Sequence, residues 1–147
     1  MSRTRTTTGA ARAVARLAKQ VEVAIGPLDL SLPQYRVLAL LGDGSTASSV
    51  LARQLAVSPP TVTAVVDGLV ARGLVERRPD PEDRRRLTLL LTRDGKRLLA
   101  AADAAAEARL DEIAAHLDEP PDALASGLDA WNRALDRSRE ERVRRDS

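Results

Sequence analysis

Apolar residues recur at helical spacing along the start of this chain. From Ala10 to about Ile25 they lie three and four positions apart, which predicts one face of an amphipathic helix that Gly26 and Pro27 end. The members of this stripe are Val14, Leu17, Val21, Ala24 and Leu28. Because an apolar stripe is unfavourable in water, we expect it to pack against another element.

Two shorter helices are predicted next. The first spans residues 31–42, because its opening residues place a Ser and a Gln at the spacing of a capping box, with a Pro in the first turn. A loop of cap-forming residues follows at 44–46, and the apolar positions of residues 47–56 indicate a third helix. Val57 and Ser58 then turn the chain.

A fourth helix begins after this turn. Ser58 is a favourable N-cap, Pro59 is favourable in the first turn, and Gly73 is a typical C-terminal stop. The apolar face between them consists of Val62, Val65, Val66, Leu69 and Val70. Two short helices joined by a tight turn, the second beginning with small polar residues, predict a helix-turn-helix.

A hairpin is predicted directly after the helix-turn-helix. Residues 74–78 and 87–92 are rich in Leu, Val and Thr, and they enclose the charged segment 79–86. A two-stranded hairpin with a long charged tip in this position is a wing. The chain is therefore predicted to be mainly α, with a small two-stranded β-wing.

Two more helices complete the predicted fold. Thr92 is placed to cap a long helix from Arg93 to about Leu117, which residues 119–121 close. Its apolar side consists of Leu98, Leu99, Ala102, Ala106, Leu110 and Ile113. A last helix is predicted to fray over residues 137–147. The apolar residues of this last helix, at heptad spacing, are Leu124, Leu128, Trp131 and Leu135.

Length and composition fit one globular domain. The chain has 147 residues, 44% hydrophobic and 30% charged, so we expect neither a disordered polyelectrolyte nor a membrane protein. It has no Cys and a single His, His116, which excludes disulfides, cysteine-based redox sensing and the usual zinc spacings. No nucleophile paired with a base, inward carboxylate pair or phosphate-binding loop stands out, so we expect no enzyme, no metal and no cofactor.

Charge is unevenly distributed along the chain. The formal net charge is +2, but residues 1–30 carry +3, residues 31–97 carry +4 and residues 98–147 carry −5. A basic middle followed by an acidic end indicates that one surface faces a polyanion. Residues 1–9 are predicted to be a flexible arm, although their composition also suits an organellar transit peptide. No segment resembles the apolar part of a secretion signal, so we expect a cytoplasmic protein.

The middle of the chain resembles a known family in the order and spacing of five motifs. These are, in order, Leu51-Ala52-x-x-Leu55, Ser58-Pro59-Pro60-Thr61-Val62-Thr63, Leu69-x-x-x-Gly73-Leu74-Val75-x-Arg77, Asp80-Pro81-x-Asp83-Arg84-Arg85 and Leu89-x-Leu91-Thr92-x-x-Gly95. On these residues the chain resembles the MarR family of winged helix-turn-helix transcriptional regulators. The resemblance implies a homodimer whose first and last helices interlock, with each winged helix binding half of a palindromic operator. It also implies a ligand-responsive protein, most often a repressor.

The start of the fourth helix has the chemistry of a DNA-contacting surface. Its hydroxyl groups suit phosphates and base edges, and its small apolar groups suit the thymine methyl in the major groove. The candidate residues are Ser58, Pro59, Pro60, Thr61, Thr63 and Ala64. Ala64 and Gly68 lie where many relatives have larger side chains, so we expect fewer direct base contacts here. The alternative is that these residues only cap and begin a helix.

The predicted wing tip contains three consecutive arginines. The resemblance points to Arg84 as a residue that enters the minor groove, with Asp83 bracing the loop by pairing to a basic neighbour. Arg85 and Arg86 are further candidates for DNA contact, although neighbours in a strand face opposite ways. A solvated charged loop is the alternative. The candidates for phosphate contact elsewhere are Arg53, Arg72 and Arg77.

The outer helices are predicted to form a dimer interface. Their stripes contain no group that does chemistry, and a fifth helix of roughly 25 residues, at about 1.5 Å per residue, is too long for one small winged domain to cover. A monomer that folds these stripes into its own core is the alternative. The predicted interface residues are Val14, Leu17, Val21, Leu28, Leu124, Leu128, Trp131 and Leu135.

The predicted organisation is one integrated domain in three parts. They are the arm at 1–9, a helical dimerisation region formed by 10–30 and 98–147, and a winged helix-turn-helix at 31–97. The expected partners are double-stranded DNA, a second copy of the chain and a small-molecule effector, with no membrane. An effector between the dimer helices and the winged region would change the separation of the two recognition helices, and its candidate contacts are Arg16, Tyr35 and Trp131. The competing function is a winged-helix protein-interaction module without specific DNA binding.

Overall fold

A computed structural model describes residues 9–145, apart from the side chains of Pro121, Leu124, Arg139, Arg142, Val143 and Arg145. The helices are α1 (Ala10–Ile25), α2 (Leu32–Gly42), α3 (Ser48–Leu55), α4 (Pro59–Ala71), α5 (Arg93–Ala114) and α6 (Pro121–Arg145). The strands are β1 (Thr46–Ala47), β2 (Val75–Pro79) and β3 (Leu87–Leu91). The predicted arm at 1–9 lies outside the described residues except for Gly9. Within the described ranges, no helix is long and apolar enough to cross a membrane.

The first two helices form where the sequence predicts them. α1 ends at Ile25 and continues into a short 3₁₀ turn at Gly26–Leu28. α2 begins with the predicted capping box. The backbone amide of Gln34 donates to Ser31 Oγ at 3.3 Å, and the backbone amide of Ser31 donates to Gln34 Oε1 at 3.0 Å. These bonds satisfy amide groups that the start of a helix would otherwise leave unpaired.

The turn of the helix-turn-helix follows directly after α3. Ala56 adopts a left-handed conformation with φ of 54°, which reverses the chain direction. The Val57 amide donates to the Ala52 carbonyl at 3.2 Å, so this carbonyl group in the last turn of α3 has a hydrogen-bond partner. From α2, the Arg36 guanidinium donates to the Leu55 carbonyl at 2.9 Å, which holds the end of α3 against α2.

The end of α4 confirms the predicted glycine stop. Gly73 has φ of 70°, a left-handed conformation that glycine adopts without steric cost. The Leu74 amide donates to the Leu69 carbonyl at 3.0 Å and the Gly73 amide donates to the Val70 carbonyl at 2.9 Å, which together form a Schellman motif. Because Leu69 and Leu74 are both buried, this cap also fixes the direction in which the chain enters the sheet.

The predicted wing is confirmed as the β2–β3 hairpin, and β1 adds a third strand. The antiparallel order is β1-β3-β2, with Thr46 and Arg77 on either side of Leu89. The predicted loop at 44–46 and helix from Ala47 are therefore wrong at their boundary, because Thr46 and Ala47 are extended and α3 begins at Ser48. β1 forms because β3 offers a free edge for backbone pairing.

The start of α5 is packed tightly against the end of the helix-turn-helix. Thr92 caps α5 as predicted, since the Gly95 amide donates to its Oγ1 at 3.0 Å. The Thr92 hydroxyl donates in turn to the Gly73 carbonyl at 2.7 Å. A Cβ atom at position 95 would lie only 2.0 Å from the Leu74 carbonyl oxygen. Only glycine therefore fits at position 95 without a shift of the backbone.

Two predicted helix ends are wrong. α5 ends at Ala114 rather than near Leu117, because the His116 and Leu117 amides bond to carbonyl groups three residues back and tighten the chain into a turn. The predicted fraying of 137–147 is also wrong up to residue 145, where α6 ends. Opposite charges four residues apart, such as Glu140 and Arg144, favour this helical continuation.

The chain divides into two compact units, Met1–Leu110 and Asp111–Ser147. The hydrophobic core lies in the first unit. Its buried members are Ile25, Leu30, Val37, Leu38, Leu41, Leu51, Ala52, Leu55, Val62, Val66, Leu69, Leu74, Val75, Leu89, Leu91, Ala102 and Ala106. In the second unit, the described side chains of α6 are exposed except for the half-buried Ala134.

Candidate nucleic-acid interface

The first turn of α4 presents an exposed and internally braced surface. Ser58 caps the helix, with its Oγ accepting a bond from the Thr61 amide at 3.4 Å. The Ser58 and Thr61 hydroxyl groups lie 2.7 Å apart and share a hydrogen bond. The Thr63 hydroxyl donates to the Pro59 carbonyl at 3.0 Å. These contacts fix the side chains of the turn before any partner arrives.

The predicted contact residues of α4 lie on one exposed side of the helix. All six are exposed, whereas Val62, Val66 and Leu69 face the core. The six are Ser58, Pro59, Pro60, Thr61, Thr63 and Ala64. The structure thus brings these candidates together on a surface that a duplex can approach, and the buried valines hold the helix in place beneath it.

The wing tip is braced by its own backbone and acidic side chains. The Asp80 amide donates to the Arg86 carbonyl at 2.8 Å, and the Arg86 amide donates to the Asp83 carbonyl at 2.9 Å. The Asp83 carboxylate accepts a bond from the Arg85 amide at 3.0 Å, and that of Asp80 accepts one from the Glu82 amide at 2.9 Å. Asp83 therefore braces the loop through a backbone amide, rather than through the expected basic side chain.

The three arginines of the tip are left exposed. Arg84, Arg85 and Arg86 have no ion-pair partner within the part of the chain that the structure describes. Because the neighbouring acidic side chains bond to backbone amides, the guanidinium groups remain accessible to an external anion. The loop therefore presents concentrated positive charge on a fixed backbone.

Two other predicted arginines hold elements of the fold together. Arg77 of β2 forms an ion pair with Asp67 of α4 and so ties the wing to the recognition helix. Arg72, just after α4, donates to the Asp29 carbonyl at 2.6 Å and lies 3.9 Å from the Asp29 carboxylate. Both arginines have structural partners, so any phosphate contact would compete with these bonds.

A groove runs between α3 and the start of α4. It has a volume of about 570 Å³ and is lined mainly by small side chains. Arg53 lines it from α3 and is exposed, with no ion-pair partner in the described ranges. The other lining residues are Ser48, Ser49, Ala52, Ala56, Val57, Pro59 and Thr63. The sequence does not predict that Ser48 and Ser49 line a groove, because serines at the start of a short helix indicate only a cap.

The predicted dimer-interface residues differ in exposure. On α1, Val14 is 63% exposed, whereas Val21 and Leu28 are partly buried against the protomer's own core and Leu17 is half-buried. On α6, Leu128, Trp131 and Leu135 are 41%, 57% and 54% exposed. The side chain of Leu124 lies outside the described residues. Each outer helix therefore keeps apolar side chains in contact with solvent in the single protomer.

The predicted ligand contacts occupy three different settings. Arg16 is exposed on α1, and Trp131 is exposed on α6 in the second unit. The Tyr35 hydroxyl donates to the Asp103 carboxylate at 2.7 Å and thereby joins α2 to α5. Burial, this bond and the negative charges of Asp103 and Glu107 raise the pKa of the Tyr35 phenol well above its usual value.

Long-range polar contacts are the features that the sequence does not reveal. Asp67 contacts the wing, and Arg36 contacts the carbonyl at the end of α3. Arg109 of α5 donates to Gln20 of α1 through Nε at 3.0 Å and through its terminal nitrogen at 2.7 Å. Each pair joins separate elements, so no local spacing identifies the partner. These contacts fix how α1, α5 and the wing are placed around the helix-turn-helix.

Comparison with known proteins identifies the family. The model of the MarR family matches residues 28–86. The HTH-type transcriptional regulator Mb0904 of Mycobacterium bovis is 32% identical over 128 residues, which cover 86% of this chain and 90% of that protein. The HTH-type transcriptional regulator YhbI of Bacillus subtilis is 34% identical over 93 residues, 62% of this chain and 60% of YhbI. The match therefore covers somewhat less than two thirds of YhbI.

Solved structures show the same fold. The transcriptional repressor CouR, bound to a 23-mer DNA duplex, has a TM-score of 0.70 and 31% identity, and the match covers 83% of this chain and 88% of that one. CouR from Rhodococcus jostii RHA1, bound to p-coumaroyl-CoA, has a TM-score of 0.71 and 26% identity, with coverage of 85% and 87%. The fold and exposed surface thus define a winged helix-turn-helix protein of the DNA-binding class. The chain belongs to the MarR family of transcriptional regulators.

Proposed function

We propose that this protein is a ligand-responsive repressor that binds a palindromic operator as a homodimer, and that it is not an enzyme. The observation that carries the proposal is the wing tip, where Arg84, Arg85 and Arg86 are exposed on a backbone-braced loop, together with the exposed first turn of α4. Arginine in the minor groove is a common means of binding DNA without hydrogen bonds to base edges. The DNA-bound state of the similar repressor CouR supports this assignment.

Three kinds of DNA contact are proposed within this surface. The residues of the α4 start are proposed to lie in the major groove, and Arg84 in the adjacent minor groove, with Arg85 and Arg86 at phosphates. Arg53 is proposed as a further phosphate contact beside the α3–α4 groove. Arg72 and Arg77 contribute less, since each already bonds within the protein.

The homodimer is proposed from the exposed apolar residues of the outer helices. Val14 of α1 and Leu128, Trp131 and Leu135 of α6 are between 41% and 63% exposed in the single protomer, which would suit burial in an interface. A two-fold axis would bury each stripe against its copy and place two winged helices on one duplex. Inverted half-sites about one helical turn apart follow from this symmetry.

The response to a ligand is the part of the proposal supported by CouR alone. CouR has been solved with p-coumaroyl-CoA, which shows that this fold accommodates a small molecule in that protein. In this chain Arg16, Tyr35 and Trp131 remain the proposed contacts. An effector that displaces the Tyr35–Asp103 bond would alter the packing of α2 on α5.

The test is selection of bound duplexes from a random DNA pool, followed by sequencing. The expected result is an enriched inverted repeat, and affinity for it should fall by about a thousandfold or more between about 50 and 200 mM salt if about six to ten phosphates are neutralised. No enrichment by folded, dimeric protein, together with a flat salt response, would contradict the proposal and favour the protein-interaction module.

Arg84→Ala tests the wing directly on the selected duplex. Affinity is expected to fall by about tenfold or more, because the variant removes a positive charge and a minor-groove contact from each half-site. Arg137→Ala is the matched control, since it removes the same charge from an exposed position on α6. Equal losses in the two variants would mean that the wing contributes only general positive charge.

A further inference from the structure

The recognition helix has no side chain suited to a bidentate hydrogen bond with a base. α4, Pro59–Ala71, contains no Arg, Lys, Asn, Gln or His. These are the residues with which proteins usually bind guanine or adenine edges in the major groove. Any sequence preference that α4 itself supplies must therefore come from other groups on its exposed side.

The single charged residue of α4 is engaged elsewhere. Asp67 could accept a hydrogen bond from the amino group of cytosine, but its carboxylate forms an ion pair with Arg77 of β2. The pair ties the wing to the helix, so a base contact would require breaking it. What remains on the exposed side is a set of hydroxyl and methyl groups.

The hydroxyl groups of that set are already bonded within the first turn. The Thr63 hydroxyl donates its hydrogen to the Pro59 carbonyl at 3.0 Å, and the Thr61 hydroxyl shares a bond with that of Ser58 at 2.7 Å. Thr63 is nevertheless exposed and lines the groove between α3 and α4. Its methyl group is the part of the side chain that is not hydrogen-bonded, and the methyl group of exposed Ala64 lies next to it along the chain.

We propose that Thr63 determines operator specificity through its methyl group, which packs against the 5-methyl group of thymine in the major groove. This inference rests on the proposed DNA-binding function. The arginines of the wing supply affinity through phosphates and the minor groove, and the apolar contact of α4 supplies the preference for thymine. At this position of each half-site, the proposed preference is therefore for a base pair that carries a thymine methyl group.

The first arm of the test changes the DNA. In the duplex selected from the random pool, each thymine is replaced in turn by deoxyuridine, which removes the 5-methyl group and keeps the base pair. At one or more positions of each half-site, affinity is expected to fall by about fourfold, as for one buried methyl group. Replacing both symmetry-related thymines should lower affinity by about sixteenfold.

The second arm changes the protein at the same contact. Thr63→Ser removes the methyl group and keeps the hydroxyl, whereas Thr63→Val keeps methyl groups and removes the hydroxyl. Thr63→Ser is expected to lose about fourfold affinity per half-site and to become insensitive to deoxyuridine at the critical position. Thr63→Val should keep both the affinity and the sensitivity. Because position 63 is exposed, both variants should fold, which thermal unfolding checks.

Other outcomes would contradict either the methyl contact alone or the proposed DNA-binding function as well. If no deoxyuridine substitution lowers affinity, or if Thr63→Val loses binding while Thr63→Ser keeps it, the methyl contact is wrong and the proposed DNA-binding function stands. If the random pool yields no enriched duplex, the proposed function itself is wrong, and this inference falls with it.

Discussion

The first unit, which contains the winged helix, and α6 differ in how far their apolar side chains are buried. From Ile25 to Ala106, the first unit buries a continuous core, and Leu38, Leu51 and Leu69 are fully inaccessible within it. α6 leaves Trp131 and the two leucines beside it about half exposed. The first unit therefore buries its apolar residues within one protomer, whereas the exposed apolar residues of α6 are those of the proposed dimer interface.

The largest expected effect tests whether α6 is completed by a second copy. Leu135→Asp should weaken dimerisation, because each protomer loses about 1.5–3 kcal/mol of apolar burial and brings a charge into the interface. With two such changes per dimer, the dissociation constant should rise by more than about a hundredfold. Sedimentation equilibrium measures this constant.

Ala130→Asp is the matched control for the dimer interface. It adds the same charge to α6 at an exposed position that helical spacing places on the side opposite Leu128 and Leu135. The control should remain dimeric. A Leu135→Asp protein that stays dimeric, or a control that dissociates as readily, would show that the exposed stripe of α6 is not the interface.

The next prediction compares the effect on stability of replacing Gly95, at the start of α5, and Gly127, in α6. Gly95→Ala should lower the free energy of unfolding by about 3 kcal/mol, since its new Cβ would lie 2.0 Å from the Leu74 carbonyl oxygen. At Gly127 of α6, no side chain that the structure describes lies within 4 Å of such a Cβ, and Gly127→Ala should raise stability by about 0.5–1 kcal/mol. Denaturant unfolding compares both with the wild type. A destabilised Gly127→Ala would mean that α6 is packed as closely as the start of α5.

Sequence reasoning succeeded where the signal is local. The Ser31–Gln34 capping box, the cap at Ser58 and the stop at Gly73 each depend on residues within a few positions of one another. The spacing of buried valines likewise placed α4. Because these features define both the helix-turn-helix and its exposed side, the main part of the candidate site followed from the pattern alone.

Sequence reasoning failed where the partners are distant or the composition is ambiguous. β1 has two residues, too few for a visible alternation, and it pairs with β3 some forty positions later. The roles of Arg72 and Arg77 depend on Asp29 and Asp67, which only the fold brings near. The composition of the charged end of α6 is typical of a frayed tail, although the spacing of its opposite charges favours a helix.

The smallest expected effects concern two glycines of the winged helix, one in the middle of α4 and one just after its end. At Gly68, in the middle of α4, the nearest described side-chain atom to a new Cβ is the Gln34 nitrogen at 3.8 Å, so Gly68→Ala should raise the free energy of unfolding by about 0.5–1 kcal/mol. Gly73→Ala should lower it by about 1–2 kcal/mol, because φ is 70° there. Thermal unfolding of both variants measures the difference. Opposite signs would show that Gly68 is not required for folding, whereas a loss in both would mean that α4 packs more tightly than its contacts indicate.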